Sequence, residues 1–173
     1  MRPLQSKGMP QAAVITVSDS CFNGTRIDGS GPAVAKALAD GGFLVVERVT
    51  VPDDQAVIED ALRSCAARAE LVVTTGGTGV AARDVTPEAT RNVCNRLIDG
   101  VPELMRAAGR EETIYASLSR ALCGTLGTSL ILNLPGSPRG AVTSLNAVLP
   151  LVSHALKLLK GDLLHPEEST QRF

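Results

Sequence analysis

Residues 71–90 restrict the fold most strongly, because a strand pattern, a glycine-rich turn and a helix start follow one another along the chain. Residues 71–75 form a short, β-branched run that is typical of a strand covered on both faces of a parallel sheet. The turn 76–79 contains three glycines, so its backbone can adopt positive φ angles. Residues 86–88 are Thr, Pro and Glu, which suit the cap and first turn of a helix. This stretch predicts a strand–turn–helix unit of an α/β protein.

The same alternation of strand and helix patterns extends along the rest of the chain. It implies right-handed crossovers and a mainly parallel sheet with helices on both faces. We expect an N-terminal extension at 1–11, one folded domain at 12–162 and a C-terminal tail at 163–173. The predicted strands lie at 12–17, 43–51, 71–75 and 128–134, and the predicted helices at 31–40 (capped by Ser30), after Asp53 or Asp54, at 87–97 (capped by Thr86), at about 102–109 and at 140–159, with a turn between Gly124 and Gly127.

Composition excludes several classes of function. The chain has 173 residues and a net charge of −1 with scattered Lys and Arg, which argues against nucleic acid as a partner. No apolar run approaches the roughly 20 residues that cross a bilayer, and residues 1–10 lack the apolar segment of a secretion signal. We therefore expect no membrane association and a cytoplasmic protein. The four cysteines have no metal or redox spacing, and His154 and His165 are poor candidates for acid–base catalysis.

The loops after the predicted parallel strands carry a set of residues suited to binding phosphate. Because such strands share a direction, these loops meet at one edge of the sheet, where open α/β sheets bind ligands. Bare amides of the glycine turn, next to Arg83 and Asp84, suit a phosphorylated ligand with its Mg²⁺. Asp53, from another loop, is a second candidate ligand for the cation, or alternatively a helix cap. Arg83 and Asp84 could instead form an ordinary exposed ion pair.

Seven motifs resemble the MoaB/Mog family of molybdenum-cofactor biosynthesis proteins in both order and spacing, over roughly residues 12–162. They are Ser18-Asp19-Ser20, Asp28-Gly29-Ser30-Gly31-Pro32, Val51-Pro52-Asp53, Thr75-Gly76-Gly77-Thr78-Gly79, Arg83-Asp84-Val85-Thr86-Pro87-Glu88-Ala89-Thr90, Leu118-Ser119-Arg120 and Asn133-Leu134-Pro135-Gly136-Ser137-Pro138. The resemblance implies a three-layer α/β/α sandwich with a mainly parallel, mixed central sheet, of the molybdopterin-binding-domain type. It also implies a homotrimer, or a hexamer, and contact with the protein that inserts molybdate downstream.

The activity implied by the resemblance is Mg²⁺-dependent transfer of the adenylyl group from ATP to molybdopterin. Alternatives are a non-catalytic molybdopterin carrier of the same family and a nucleotide hydrolase on a related fold. Carried over position by position, the resemblance assigns catalysis and the metal to Asp53 and Asp84, the nucleotide to Gly76, Gly77, Thr78, Gly79, Pro135, Gly136, Ser137 and Pro138, and molybdopterin to Ser18, Ser119, Arg120 and Thr128. Ser119 could instead cap a local turn, and Arg120 could pair with a neighbouring subunit.

Overall fold

A computed structural model describes residues 8–161 of the chain. Within that range the chain forms a central sheet, helices on both of its faces and one short 3₁₀ helix. The strands are β1 (Gln11–Val17), β2 (Leu44–Val51), β3 (Leu71–Thr75), β4 (Arg96–Leu97), β5 (Cys123–Leu126) and β6 (Ser129–Leu134). The helices are α1 (Asp19–Phe22), α2 (Ser30–Asp40), α3 (Gln55–Ala66), α4 (Thr86–Val93), α5 (Gly100–Arg110) and α6 (Pro138–Leu159), and the 3₁₀ helix is Ile114–Leu118.

The sheet has six strands in the order β2-β1-β3-β6-β5-β4. The first four strands are parallel, and β5 and β4 continue the sheet antiparallel. The carboxyl ends of β1, β2, β3 and β6 therefore lie at one edge, as the sequence predicts. The sheet is mixed because β5 and β6 form a hairpin around Gly127, whose φ is +59°.

Two apolar cores, one on each face of the sheet, make the domain a three-layer sandwich. Alternate side chains of β1 separate cleanly: Ala12 and Val14 lie in the core beneath α2, α5 and α6, whereas Ala13 and Ile15 lie in the core beneath α3 and α4. All four of these side chains are at most 1% exposed. This period of two is what a strand buried on both faces requires. The predicted α/β/α sandwich is confirmed.

Several predicted boundaries are wrong. Helix α4 ends at Val93 rather than at 97, because Asn95 N–H donates to Thr125 O at 2.7 Å and draws the chain into β4. The segment expected to be a turn between two glycines is largely the strand β5. Ser30 and Thr86 were expected to be caps, but each is the first residue of its helix. Tertiary pairing and hydroxyl bonds to other segments override the local pattern in each case.

Helix α6 is long and apolar enough to span a membrane by length and composition alone. One of its faces packs on the sheet, however, with Leu145, Val148 and Val152 at most 1% exposed in the core shared with α2 and α5. It contains Pro150 within its span. These contacts are those of a core helix of an α/β domain. The predicted boundaries of the N-terminal extension and the C-terminal tail stay predictions, since residues 1–7 and 162–173 lie outside the described residues.

Candidate functional site

The glycine turn after β3 sits against the ends of two other strands with no room for side chains. Gly76 and Gly77 have φ angles of +95° and +64°. A Cβ on Gly76 would lie 2.3 Å from Val17 O at the end of β1, and a Cβ on Gly136 would lie 3.3 Å from Gly76 Cα. The absence of side chains therefore lets the loops after β1, β3 and β6 approach one another. The Gly76 N–H is used in this packing, since it donates to Leu134 O at 3.2 Å, whereas the Gly77 N–H has no partner within residues 8–161.

Asp53 is held by the loop after β1 and does not cap a helix. The cap of α3 is Asp54, whose carboxylate accepts from Val57 N–H at 3.0 Å. Asp53 Oδ2 accepts from Asp19 N–H at 2.8 Å, and Asp19 Oδ1 accepts from Asp53 N–H at 3.0 Å. A Cβ on Gly77 would lie 3.4 Å from Asp53 Oδ1. Local sequence left Asp53 either as the cap of α3 or as a metal ligand. The structure gives the cap to Asp54.

Asp84 lies against the carboxyl-terminal part of the glycine loop, next to Gly79. Its Oδ2 accepts from Ala81 N–H at 2.9 Å, and a Cβ on Gly79 would lie 2.8 Å from the same oxygen. Arg83 turns away from Asp84, because its Nη2 pairs with Asp19 Oδ2 at 2.6 Å. The alternative of an exposed ion pair between Arg83 and Asp84 is therefore wrong. Within residues 8–161, hydrogen bonds reach only one carboxylate oxygen of Asp53 and one of Asp84.

Asp53 and Asp84 line one cavity of about 630 Å³ at this rim. Their loops are separated in sequence, and the sheet brings them together. Most of the other residues that line the cavity are small or carry hydroxyls, and hydroxyls can donate hydrogen bonds to phosphate oxygens. The lining comprises Thr16, Val17, Ser18, Arg26, Ile27, Gly29, Ser30, Asp53, Thr75, Gly76, Gly77, Asp84, Gly136, Ser137 and Pro138.

A second cavity, of about 420 Å³, shares Gly77, Asp84, Gly136 and Ser137 with the first. Its other side is built by α5, the 3₁₀ helix and the first turns of α6. Thr78, Gly79, Pro135 and Ser119 line it, as do Arg106, Glu112, Thr113, Tyr115, Thr143 and Ser144, which sequence reasoning did not select. The signal that could have found Tyr115 is its rarity: it is the one tyrosine in the chain, and its side chain is 76% exposed at this cavity.

Glu112, which lines this second cavity, bonds to two residues of α6. Its Oε1 accepts the hydroxyl of Thr143 at 2.6 Å, and its Oε2 pairs with Arg139 Nε at 2.8 Å. Glu112 thus ties the segment after α5 to the first turns of α6. Ser137, at the start of α6, accepts from Gly140 N–H at 3.2 Å and caps the helix.

Arg120 holds the glycine loop in place by donating hydrogen bonds to three backbone carbonyls of the loop after β3. Its Nε donates to Gly79 O at 2.7 Å and its Nη2 to Asp84 O at 2.6 Å, while its Nη1 pairs with Glu88. Its own N–H donates to Thr78 O at 2.8 Å. The Arg120 guanidinium beside Glu88 also holds the pKa of that carboxyl below its ordinary value. Arg120 lines neither cavity, and its assignment to molybdopterin stays a prediction.

The structure separates the other residues assigned to molybdopterin. Ser18 lines the cavity that contains Asp53, whereas Ser119 lines the second cavity. Thr128 is exposed in the turn between β5 and β6. That turn precedes the amino end of β6, at the edge of the sheet opposite the glycine loop. Within this protomer, Thr128 is not brought to the site.

A buried polar network supports the rim. The Asn133 side chain is fully buried and donates from Nδ2 to the hydroxyls of Thr74, at 3.1 Å, and Thr90, at 2.8 Å. Its Oδ1 accepts from Leu122 N–H at 3.1 Å. These three hydrogen bonds hold β3, β6 and α4 together below the glycine loop. They also satisfy polar groups that would otherwise be buried without partners.

At this edge of the sheet the candidate metal ligands are the carboxylates of Asp53 and Asp84. Within residues 8–161, no group of three or more His, Cys, Asp and Glu side chains could hold an ion. Mg²⁺ accepts such a site, since it is commonly bound by one or two carboxylates together with waters and substrate phosphates. His154 is exposed on α6, away from both cavities, and His165 lies outside the described residues.

Comparison with known proteins gives one consistent result. Residues 13–154 match the family model described as "probable molybdopterin binding domain". The chain is 38% identical over 159 residues to molybdopterin adenylyltransferase of Helicobacter pylori, which covers 90% of each protein. It is also 38% identical to the molybdenum cofactor synthesis protein cinnamon of Drosophila melanogaster, where the match covers 87% of this chain but only 26% of cinnamon. The crystal structure of the molybdopterin biosynthesis enzyme MoaB from Thermus thermophilus is 48% identical with a TM-score of 0.83, covering 88% of this chain and 98% of MoaB.

Proposed function

Because the chain belongs to the family of the probable molybdopterin binding domain, we propose that it transfers the adenylyl group of ATP to molybdopterin and depends on Mg²⁺ to do so. The observation that carries this proposal is the cavity that Asp53 and Asp84 share beside Gly76 and Gly77. Within residues 8–161 each carboxylate has one oxygen without a hydrogen-bond partner, which suits a divalent cation, and the Gly77 amide suits a phosphate oxygen. The Helicobacter pylori relative, matched over 90% of its length, bears the name of this activity.

The residues present suit this chemistry without a general base. A phosphate oxygen of molybdopterin forms a bond to the α-phosphorus of ATP, the bond from that phosphorus to the bridging oxygen breaks, and pyrophosphate leaves with the electron pair. The attacking oxygen is already ionised at neutral pH, so catalysis consists of positioning and charge stabilisation. The exposed position of His154 and its distance from both cavities are consistent with this.

In this proposal the chain's own groups divide the work. Asp53 and Asp84 hold Mg²⁺, which when bound neutralises charge on the triphosphate. The Gly77 amide donates to a phosphate oxygen, while Gly76, whose N–H is bonded to Leu134 O at 3.2 Å, contributes through its lack of a side chain. The loop 135–138 forms the opposite wall. The second cavity, with Tyr115 on its rim, takes the pterin. Because Asp84 and Gly77 line both cavities, the reacting phosphates would meet at that junction.

The proposal is tested by incubating the purified chain with ATP and Mg²⁺, with and without molybdopterin, and identifying products by mass spectrometry. Adenylylated pterin and pyrophosphate are expected only when both substrates are present. Asp53→Asn and Asp84→Asn should each slow the transfer about 100-fold or more, the scale on which lost electrostatic stabilisation acts. The matched control Asp60→Asn, on an exposed position of α3, should leave the rate unchanged. Pterin binding without turnover would indicate a carrier instead, and pterin-independent release of phosphate or pyrophosphate from ATP would indicate a hydrolase.

We also propose that the chain assembles as a homotrimer or hexamer, remains in the cytoplasm and meets the downstream molybdate-insertion protein. Exposed apolar side chains support self-association: on the edge strand β2, Leu44 is 48% and Val46 42% exposed. Uncovered edge strands and apolar surface favour association. Light scattering after gel filtration gives the number of subunits, and cell fractionation gives the compartment.

A further inference from the structure

An ion pair outside both cavities links the loops that carry the two carboxylates. Asp19 uses each of its carboxylate oxygens differently: Oδ1 accepts from Asp53 N–H at 3.0 Å, and Oδ2 pairs with Arg83 Nη2 at 2.6 Å. Arg83 directly precedes Asp84 in the chain, and its Nη2 also approaches Asp53 O at 3.4 Å. The loops after β1, β2 and β3 are thus joined through Asp19 and Arg83.

Neither residue is placed to act on a ligand directly. Asp19 and Arg83 are absent from the linings of both cavities, whereas Asp53 and Asp84 line the larger one together. The backbone of Asp53 is bonded to Asp19, and the backbone of Asp84 is continuous with Arg83. An intact ion pair between Asp19 and Arg83 therefore favours one separation of the loops that carry the two carboxylates.

Exposure of this pair indicates that stability is not its main contribution. The side chains of Asp19 and Arg83 are 34% and 68% exposed, and exposed ion pairs add little to folding stability. Other hydrogen bonds already hold the two carboxylates: Asp84 Oδ2 is bonded to Ala81 N–H within its own loop, and Asp53 Oδ2 to Asp19 N–H in the loop after β1. What the ion pair adds is a fixed relation between those two loops.

We propose that Asp19 and Arg83 are positioning residues, which set the separation of Asp53 and Asp84 and thereby tune the affinity of the site for a divalent cation bound with a nucleotide. This inference depends on the proposed function, because it assumes that these two carboxylates share a cation. It goes beyond that function by assigning cation affinity to residues that touch neither cation nor substrate.

The test measures binding of Mn²⁺ by electron paramagnetic resonance in the presence of α,β-methylene-ATP, which cannot transfer its adenylyl group. The variants are Asp19→Asn, Arg83→Gln, the double variant, and Arg83→Lys. The asparagine keeps an oxygen that can accept from Asp53 N–H but lacks the charge that attracts Arg83. Lys36→Gln is the control, since it removes a cation from another exposed ion pair, Lys36–Asp40, on α2.

Each single variant should bind Mn²⁺ about two- to fivefold more weakly, the range that exposed ion pairs supply, and the double variant should be no weaker than the weaker single one. Arg83→Lys should recover part of the loss, and Lys36→Gln should have no effect. In turnover with Mg²⁺, the concentration for half-maximal rate should rise by the same factor, while the rate at saturating Mg²⁺ stays within about twofold. Melting temperatures should match the parent chain.

The sign of the Asp19→Asn effect separates this proposal from simple charge effects. A complex of Mn²⁺ with α,β-methylene-ATP carries net negative charge, so electrostatics at a distance would make Arg83→Gln weaken binding and Asp19→Asn strengthen it. Opposite effects of the two variants, or additive losses in the double variant, would overturn the positioning role. If Asp53→Asn and Asp84→Asn abolish Mn²⁺ binding while both positioning variants bind normally, only this inference fails. If the first two also bind Mn²⁺ normally, the proposed metal site fails with it.

Discussion

Gly77→Ala should destabilise the domain more than a comparable substitution at another glycine with positive φ. At φ +64° an alanine pays about 1–2 kcal/mol for the left-handed conformation. Its Cβ would also lie 2.3 Å from Thr86 Oγ1, where something must shift. That hydroxyl is fully buried and donates to Gly76 O at 2.9 Å, and losing a buried hydrogen bond costs about 1–3 kcal/mol. The expected loss in free energy of unfolding is therefore about 2–5 kcal/mol.

Gly127→Ala provides the matched control. Gly127 has a φ of +59°, but an added Cβ would meet no atom within 4 Å. The control is therefore destabilised only by its left-handed conformation, by about 1–2 kcal/mol, and the effect of Gly-to-Ala on the unfolded chain cancels between the two variants. Urea unfolding followed by circular dichroism measures both. The difference between them isolates the contact with Thr86.

Thr86→Ala tests the cause directly. It removes the hydroxyl that the new methyl group would strike, so the double variant Gly77→Ala/Thr86→Ala should lose about 1–3 kcal/mol less than the sum of the single losses. The reasoning would be refuted if Gly77→Ala and Gly127→Ala differed by less than about 0.5 kcal/mol, or if the two changes at Gly77 and Thr86 were additive.

Three further expectations concern the support of the site and its thiols. Arg120→Gln should slow adenylyl transfer about tenfold or more, because the carbonyls of Gly79 and Asp84 lose their donor; Arg120→Lys should restore part of the rate, and unchanged turnover in Arg120→Gln would rule out a bracing role. Asn133→Ala should cost about 3–5 kcal/mol in urea unfolding, since it leaves two buried hydroxyls and the partly buried Leu122 N–H without partners; a loss below about 1 kcal/mol would contradict this. Burial raises the pKa of the Cys123 thiol to about 12 from 9.0, so the folded chain binds its proton more tightly than the unfolded chain, and the stability from this group is complete below pH 9 and falls as the pH rises above it. Cys123→Ala should flatten that alkaline decline in urea midpoints, and an identical decline in both proteins would exclude Cys123 as its source.

Local sequence predicted the parallel part of the fold well because each signal there was strong in itself. The run at 71–75 is rich in β-branched residues and is followed by two glycines, so the strand β3 was predicted with its bounds. The resemblance implied a mixed sheet, but local sequence did not predict the strands β4 and β5 themselves. β4 has only two residues, and these pair with Thr125 and Gly124. A strand that short has no periodicity to detect, and only its partner makes it a strand.

The candidate site was likewise predicted only in part from the sequence. Residue types and their order predicted that Asp53, Asp84 and the loop 76–79 would share a rim, since parallel strands end at one edge of a sheet. Local sequence could not decide between Asp53 and Asp54 as the cap of α3, because both precede the helix and both suit that role. The bond from Asp19 N–H to the Asp53 carboxylate decided it, and that bond spans 34 positions.

By itself the sequence determined which groups were available: three glycines in one turn, carboxylates in the loops after two strands, and histidines whose sequence context does not favour catalysis. These follow from residue identity and short-range pattern. Tertiary structure decided what each group does, since it turned Arg83 towards Asp19, put Arg120 behind the loop and left Thr128 at the opposite edge. The physical reason is that the partners of a polar side chain are set by long-range packing of strands and loops, which short stretches of sequence do not encode.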